Sequence, residues 1–274
     1  MRTLKFLFDF YLDASIHVSL SVIALAGTTF YLLDIPSDFL LLGFIFFGSI
    51  VCYNFVKYGV EAHKYLIVSN AYHKSIQIFS FLAFALAVYF LVKLSAKIWI
   101  AVAFLAILST LYAVPMLPNA KNLRSLGGFK IYIVGLVWTG FTTLLPILDE
   151  NLSMTWDLGV LFVQRFILVI ILMLPFEIRD LQWDDRSLKT LPQIIGAKRT
   201  QALGLVLIVL FFLLTFLKDE ISNMEIPMRL AVAILLLLIF AVDQRKQPKY
   251  FASFWVEGIP VIWLAMFWLA EKLA

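Results

Sequence analysis

Four carboxylates lie close together where an apolar stretch of the chain ends: Glu177, Asp180, Asp184 and Asp185. On a helix that continues through them, Glu177, Asp180 and Asp184 are spaced i, i+3 and i+7 and share one face. Such a row of carboxylates repels itself unless a divalent cation or strong bases neutralise it. Oxygen ligands without His or Cys suit Mg²⁺, which proteins usually hold together with substrate phosphates.

Basic residues surround the same segment and change what it could bind. Carboxylates for a metal, next to bases for phosphate oxygens, indicate a diphosphate site at a membrane surface. The alternative is a solvated loop whose positive charges only fix the topology of the chain. The bases are Arg179, Arg186, Lys189, Lys198 and Arg199.

The elements that must position these groups are membrane-spanning helices. The chain has 274 residues, of which 62% are apolar and 15% charged, with a mean hydropathy of +0.95. A soluble domain carries nearly twice that share of charge, so a cytosolic enzyme is excluded. The length predicts an all-α integral membrane protein, a single bundle of about nine transmembrane helices over residues 1–274. The apolar runs are near 10–33, 39–56, 76–94, 98–114, 129–148, 158–178, 201–217, 228–243 and 253–271.

The charges predict how this bundle is oriented. Sixteen of the 22 Lys and Arg residues fall in the N-terminal segment or in connections predicted to lie on the same side of the membrane as the N-terminus. By the positive-inside rule, the N-terminus is expected in the cytoplasm and the C-terminus outside, in a bacterial plasma membrane. A net charge of +4 gives no argument for nucleic acid as a partner. The lone cysteine, Cys52, excludes an intramolecular disulfide.

The acidic segment also resembles a known motif. Asp180-x-x-x-Asp184, followed by Lys189-Thr190-Leu191-Pro192 and Gly196, is similar to the second aspartate-rich motif of the UbiA superfamily of intramembrane prenyltransferases. Leu111-Tyr112-Ala113-Val114-Pro115 with Lys121 resembles that family's Tyr-and-Pro segment, and Leu12-Asp13-Ala14-Ser15-Ile16 is weakly similar to its first helix. The resemblance implies nine spans and Mg²⁺-dependent transfer of an isoprenyl group from a polyprenyl diphosphate to a lipophilic acceptor.

The same resemblance implies roles for individual residues. Asp180 and Asp184 would bind the Mg²⁺ ion and, with Asn54, form the catalytic set. The substrate-binding residues would be Lys57, Tyr112, Lys121, Arg179 and Lys189. Membrane lipid surrounds such a site.

The chain departs from the family at the first aspartate-rich motif. Asn54 is present, but the three aspartate positions that follow it hold Phe55, Tyr58 and Ala62. One hypothesis is that Lys57 neutralises the diphosphate in place of the lost metal ligands. The other is that Lys57 forms a weak i, i+4 ion pair with Glu61.

Three functions therefore stay open. The first is an active prenyltransferase, favoured by the intact second motif. The second is a non-catalytic relative that binds or scaffolds isoprenoid lipids, favoured by the lost first motif. The third is a secondary transporter, for which only His17 and Arg165 are candidate ionisable residues within a span.

Overall fold

A computed structural model describes residues 2–59, 70–114, 128–185 and 188–273, and no β-strand occurs within these ranges. Eight helices in them are long and apolar enough to cross a membrane. The prediction of an all-α, multi-pass membrane bundle is therefore confirmed. The eight spans are Ile16–Leu33, Phe39–Tyr58, Ala71–Leu91, Ala96–Ala113, Lys130–Asp149, Trp156–Asp180, Ala197–Leu217 and Phe251–Leu273.

The eighth predicted span, near 228–243, corresponds to a shorter helix of 17 residues, Glu225–Ala241. In chain order the helices are α1 (Arg2–Asp13), α2 (Ile16–Leu33), α3 (Phe39–Asn54), α4 (Ala71–Leu91), α5 (Ala96–Ala113), α6 (Lys130–Thr139), α7 (Leu145–Asp149), α8 (Trp156–Asp180), α9 (Leu191–Ile195), α10 (Ala197–Leu213), α11 (Glu225–Ala241) and α12 (Glu257–Leu273). Short π-helical turns extend α3 through Phe55–Gly59 and precede α12 at Phe251–Val256.

The first predicted span, 10–33, is wrong at its start. Ser15 adopts a left-handed conformation with φ 61°, which ends α1 and lets α2 leave in a new direction. Leu4, Phe6 and Leu7 on α1 are exposed, as expected for a helix that lies on a membrane surface. The span itself therefore begins at Ile16.

The spans differ in how deeply they are buried. Most residues of α2 and α8 are buried, whereas α4 and α5 turn many large apolar side chains outward. Around the two central helices, α2 packs against α3 and α12, and α8 packs against α6 and α10. An apolar outer surface around a packed interior is what a lipid environment requires.

Candidate functional site

A cavity of about 260 Å³, here called the central cavity, opens between α3, α5, α6 and α8. Most of its wall is apolar or aromatic, and Trp138 Nε1 donates a hydrogen bond to Tyr53 Oη at 2.5 Å, which fixes two of its rings. Such a wall suits a hydrocarbon chain. The apolar lining includes Val22, Val56, Ile133, Val134, Val137, Phe141, Val169, Leu172, Met173 and Phe176.

Charged residues line the same cavity at one end. They are Lys130, Glu177, Asp180 and Glu257, and Tyr112 and Cys52 are also part of the wall. A hydrocarbon-lined space with a charged end can hold a molecule that has a long apolar part and an ionic head. We call the charged end the mouth.

Ion pairs organise the mouth. Lys130, the first residue of α6, lies 2.6 Å from Glu177 in the last full turn of α8 and 3.9 Å from Asp184. Arg179 Nε lies 2.7 Å from Asp180 Oδ1, and its guanidinium lies over the Phe176 ring. The two lysine contacts bring Glu177 and Asp184 to one side, although α8 ends at Asp180.

The turn after α8 is held by the segment that follows it. Asp184 N donates to Asp180 O at 2.8 Å, which continues one helical turn past the helix end. Gln193 Nε2 donates to the carbonyls of Asp184 and Asp185, while Gln193 Oε1 accepts from Thr190 N at the start of α9. Gln193, in the segment after these carboxylates, thus fixes the backbone of the acidic turn. Lys189 in this segment is exposed, has a φ of 42° and does not line the cavity.

Three residues at the position of the lost first motif donate hydrogen bonds to the end of α1. Asn54 Nδ2 donates to Ala14 O at 3.1 Å, Lys57 Nζ to Leu12 O at 3.3 Å, and Tyr58 Oη to Asp13 O at 3.2 Å. The last carbonyls of a helix have no partner within that helix. These three donors therefore satisfy the C-terminal end of α1.

Asn54 lies outside the wall of the central cavity. It is fully buried, it also donates to Ser80 Oγ at 2.9 Å, and it does not line the cavity. The side chain of Lys57 is likewise directed to α1 and is absent from the cavity wall. The replacement of a metal by Lys57 stays a prediction, and its alternative partner, Glu61, lies outside the described residues.

Glu257, like Lys130, lines the cavity without being among the residues predicted from the sequence. It lies in the wall of the cavity, and no described residue donates a hydrogen bond to its carboxylate. Its backbone carbonyl accepts from Ser21 Oγ of α2, which fixes the start of α12. A carboxylate within a membrane-spanning apolar run indicates a functional site. Glu257 lies within the predicted span 253–271 and could have been found in this way.

A buried histidine supports the backbone just before Glu257. His17 Nε2 lies 2.9 Å from the carbonyl oxygen of Phe254, so Nε2 carries the proton and Nδ1 accepts. Tyr11 Oη then donates to His17 Nδ1 at 2.6 Å. Burial, and next the Glu257 carboxylate, raises the pKa of Tyr11, which keeps the phenol protonated as this donor.

Comparisons with known proteins identify the architecture. No protein-family model matches the sequence, and no curated protein matches it. A UbiA homologue from Archaeoglobus fulgidus bound to Cd²⁺ superposes with a TM-score of 0.64 at 13% identity, over 95% of this chain and 98% of that one. The chain has the UbiA fold. The agreement extends over nearly the whole length of both proteins, although few residues are identical.

Two further structures with the UbiA fold agree. The Archaeoglobus fulgidus homologue bound to GPP and Mg²⁺ gives a TM-score of 0.62 at 14% identity, over 95% of this chain and 98% of that one. A structure of digeranylgeranylglyceryl phosphate synthase gives 0.57 at 16% identity, over 98% of both chains. The predicted UbiA resemblance is thereby confirmed at the level of the fold.

The carboxylates of the mouth fit Mg²⁺ only in part. Glu177, Asp180 and Glu257 line the cavity, and Asp184 lies 3.9 Å from Lys130. Carboxylate oxygens are ligands that suit a divalent cation. Yet no group of three or more metal-binding side chains is assembled among the residues that the structure describes. Mg²⁺ takes one or two carboxylates and completes its shell from substrate phosphate and water, so it does not require a larger group.

The other predicted site residues lie at different positions relative to the central cavity. Asp180 and Tyr112 line the central cavity. Arg179 is engaged with Asp180 just outside its wall, and Asp184 is connected to it through Lys130. Lys121 lies outside the described residues.

Proposed function

We propose that this membrane protein transfers an isoprenyl group from a polyprenyl diphosphate to a lipophilic acceptor. The observation that carries the proposal is one cavity with an apolar, aromatic wall and a mouth that holds Asp180, Glu177 and Lys130. The isoprenoid chain lies in the apolar part and the diphosphate at the mouth. A volume of about 260 Å³ is just below the range of about 300–1,000 Å³ typical of small-molecule sites, which favours a short chain.

The diphosphate requires more positive charge than the described side chains provide. At the mouth, Lys130 is already paired with Glu177 and Arg179 with Asp180, so neither cation is left over for a diphosphate. Asp180 and Asp184 would hold Mg²⁺, which supplies the positive charge that stabilises the departing diphosphate. Lys130 would contact the same oxygens while it keeps Glu177 and Asp184 in place.

The reaction follows from this arrangement. The bond between C1 of the isoprenyl group and the diphosphate oxygen breaks, and its electron pair leaves with the diphosphate. Tyr53, Trp138 and Phe141 in the wall face the allylic cation with their π-electrons. The acceptor's nucleophilic atom bonds to C1, and its displaced proton goes to the Glu257 carboxylate.

One observation favours a second candidate, a non-catalytic protein that binds isoprenoid lipids. Asn54, Lys57 and Tyr58 stand where the family's first motif would be, and they hold α1 instead of substrate. A protein of this kind would bind a polyprenyl diphosphate without releasing diphosphate from it.

Diphosphate release separates the two candidates. Purified protein in detergent is incubated with geranyl diphosphate, Mg²⁺ and a lipid extract as a source of acceptors, and released diphosphate is measured after enzymatic conversion to phosphate. We expect release that depends on the extract and is lost in Asp180→Asn. The matched control is Asp243→Asn, because Asp243 is exposed and outside the cavity. Binding of geranyl diphosphate without release, across acceptor pools, would contradict the transferase.

A further inference from the structure

A second polar cluster lies inside the bundle, far from the mouth. Its centre is Arg165 on α8, a fully buried residue within the span. Arg165 and Asp180 are on the same helix and are separated by about 22 Å at 1.5 Å per residue. Neither Arg165 nor any other residue of the cluster described below lines the central cavity. The cluster therefore needs an explanation of its own.

Arg165 has no acidic partner among the described residues. Its Nη2 donates to Thr28 Oγ1 and Thr29 Oγ1 of α2, both at 2.9 Å. Its guanidinium carbon lies 5.3 Å from the centre of the Trp263 ring on α12. Its Nη1, also buried, has no hydrogen-bond partner. A buried cation held only by hydroxyls and a ring costs several kcal/mol.

A second buried arginine belongs to the same series of ring contacts. Arg229 on α11 lies over the Phe211 ring at 5.7 Å, and that ring contacts Trp263 at 6.2 Å between centroids. Arg165 and Arg229 are thus connected through two touching rings, and the charge of Arg229 acts on Arg165. Arg229 Nη1 also lacks a partner, as does Trp263 Nε1. Three buried donors of one cluster are left without acceptors.

The charges of the cluster do not cancel. Glu225 accepts from Arg229 at 2.7 Å and from Lys218 at 2.8 Å, and all three side chains are almost fully buried. Within the described part of the chain, Arg165, Arg229 and Lys218 therefore bring three positive charges against two carboxylates, those of Glu225 and of Asp157, whose charge interacts with Lys218. A water molecule could satisfy an orphaned N–H group, but it leaves the excess positive charge uncompensated.

We propose that this cluster binds a small monovalent anion of the halide class against Arg165, Arg229 and Trp263. A halide accepts several N–H donors at once and carries the charge that the cluster lacks. It would hold together α8, α11 and α12, which the three donors come from. The proposal is independent of the isoprenyl-transfer reaction, because it uses none of the residues of the mouth.

Anion exchange at constant ionic strength tests this proposal. Purified protein in detergent is transferred from potassium gluconate, whose anion is too large for the interior, into potassium chloride or bromide. A bound halide stabilises the folded state by mass action. We expect the thermal unfolding midpoint, followed by intrinsic fluorescence, to rise by about 3–5 °C in halide. Equal midpoints in gluconate and halide would overturn the proposal.

Variants and a second measurement locate the effect. Arg165→Met removes the central donor and should abolish the halide dependence, whereas Arg245→Met, at an exposed position, should keep it. Halide dependence that persists in Arg165→Met would mean that the anion acts elsewhere, and would also overturn the proposal. If Arg165→Met does not fold, a crystal structure of the wild-type protein grown in bromide decides. Anomalous density next to Arg165 Nη1 supports the site, and its absence there rules the site out.

Discussion

Lys130 Nζ lies 2.6 Å from Glu177 Oε1, so an ion pair joins the first residue of α6 to the last full turn of α8 at the mouth of the cavity. The Glu177 side chain is 2% exposed and that of Lys130 is 16% exposed. The pair therefore does two things. It closes the bundle beside the acidic turn, and it leaves the lysine in contact with the space where a diphosphate would lie.

Replacing one partner of this ion pair should destabilise the protein more than replacing both. Lys130→Gln leaves Glu177 buried without its cation, and we expect the free energy of unfolding to fall by about 2–3 kcal/mol. The double variant Lys130→Gln/Glu177→Gln should recover most of the loss, because no buried charge remains. Unfolding by detergent titration measures both, with Lys246→Gln as an exposed control. Strictly additive effects of the two substitutions would show that the pair is not coupled.

Lys57 tests whether the residues at the position of the first motif hold the end of α1. Lys57→Met removes the hydrogen bond to Leu12 O at the end of α1, at a cost of about 1 kcal/mol. We expect faster amide hydrogen exchange in α1 and affinity for geranyl diphosphate within about twofold of wild type. A tenfold loss of affinity for geranyl diphosphate, without a change in amide hydrogen exchange, would indicate that Lys57 binds the substrate.

Two glycines should respond to alanine in opposite directions. A Cβ atom at Gly204 on α10 would overlap the Phe240 ring of α11, whereas nothing lies within 4 Å of one at Gly159 on α8. Gly204→Ala should therefore lower the free energy of unfolding by about 1–3 kcal/mol through overpacking. Gly159→Ala should raise it by up to about 1 kcal/mol, since alanine favours helix. Thermal unfolding in detergent compares the two, and equal stability would mean that α10 and α11 do not meet at Gly204.

Glu257 should affect turnover but not binding. Glu257→Gln keeps the shape of the cavity wall and removes the proton acceptor, so we expect diphosphate release to slow by about 100-fold. The dissociation constant of geranyl diphosphate should stay within about twofold. Release kinetics and equilibrium binding are measured on the same preparation, with Glu220→Gln as an exposed control. An unchanged rate of release would place the proton acceptor elsewhere.

The helices were predictable because their signal is local. Apolar runs bounded by charges are sufficient to place most spans within a few residues, as the helix Trp156–Asp180 against the predicted 158–178 illustrates. The start of α2 was not predictable in the same way. It depends on one left-handed residue, Ser15, in a sequence that stays apolar on both sides.

Apart from Tyr112, the residues of the candidate site that could be predicted are neighbours in sequence. Asp180 and Asp184 belong to one turn, so their spacing indicates their proximity. Lys130 and Glu257 reach that turn from other helices, and single-sequence patterns do not contain such contacts. Asn54 matched a motif by type, but its position beside Ala14 O depends on where α1 ends.

We propose that the mouth binds a diphosphate together with a divalent cation through Asp180. Equilibrium binding of geranyl diphosphate to the purified protein, in Mg²⁺ and in EDTA, tests this directly. We expect Mg²⁺ to tighten binding at least about tenfold in the wild type and in Asp243→Asn, and to have no effect in Asp180→Asn. Equal affinity in Mg²⁺ and EDTA, or Mg²⁺-dependent binding that survives Asp180→Asn, would contradict it.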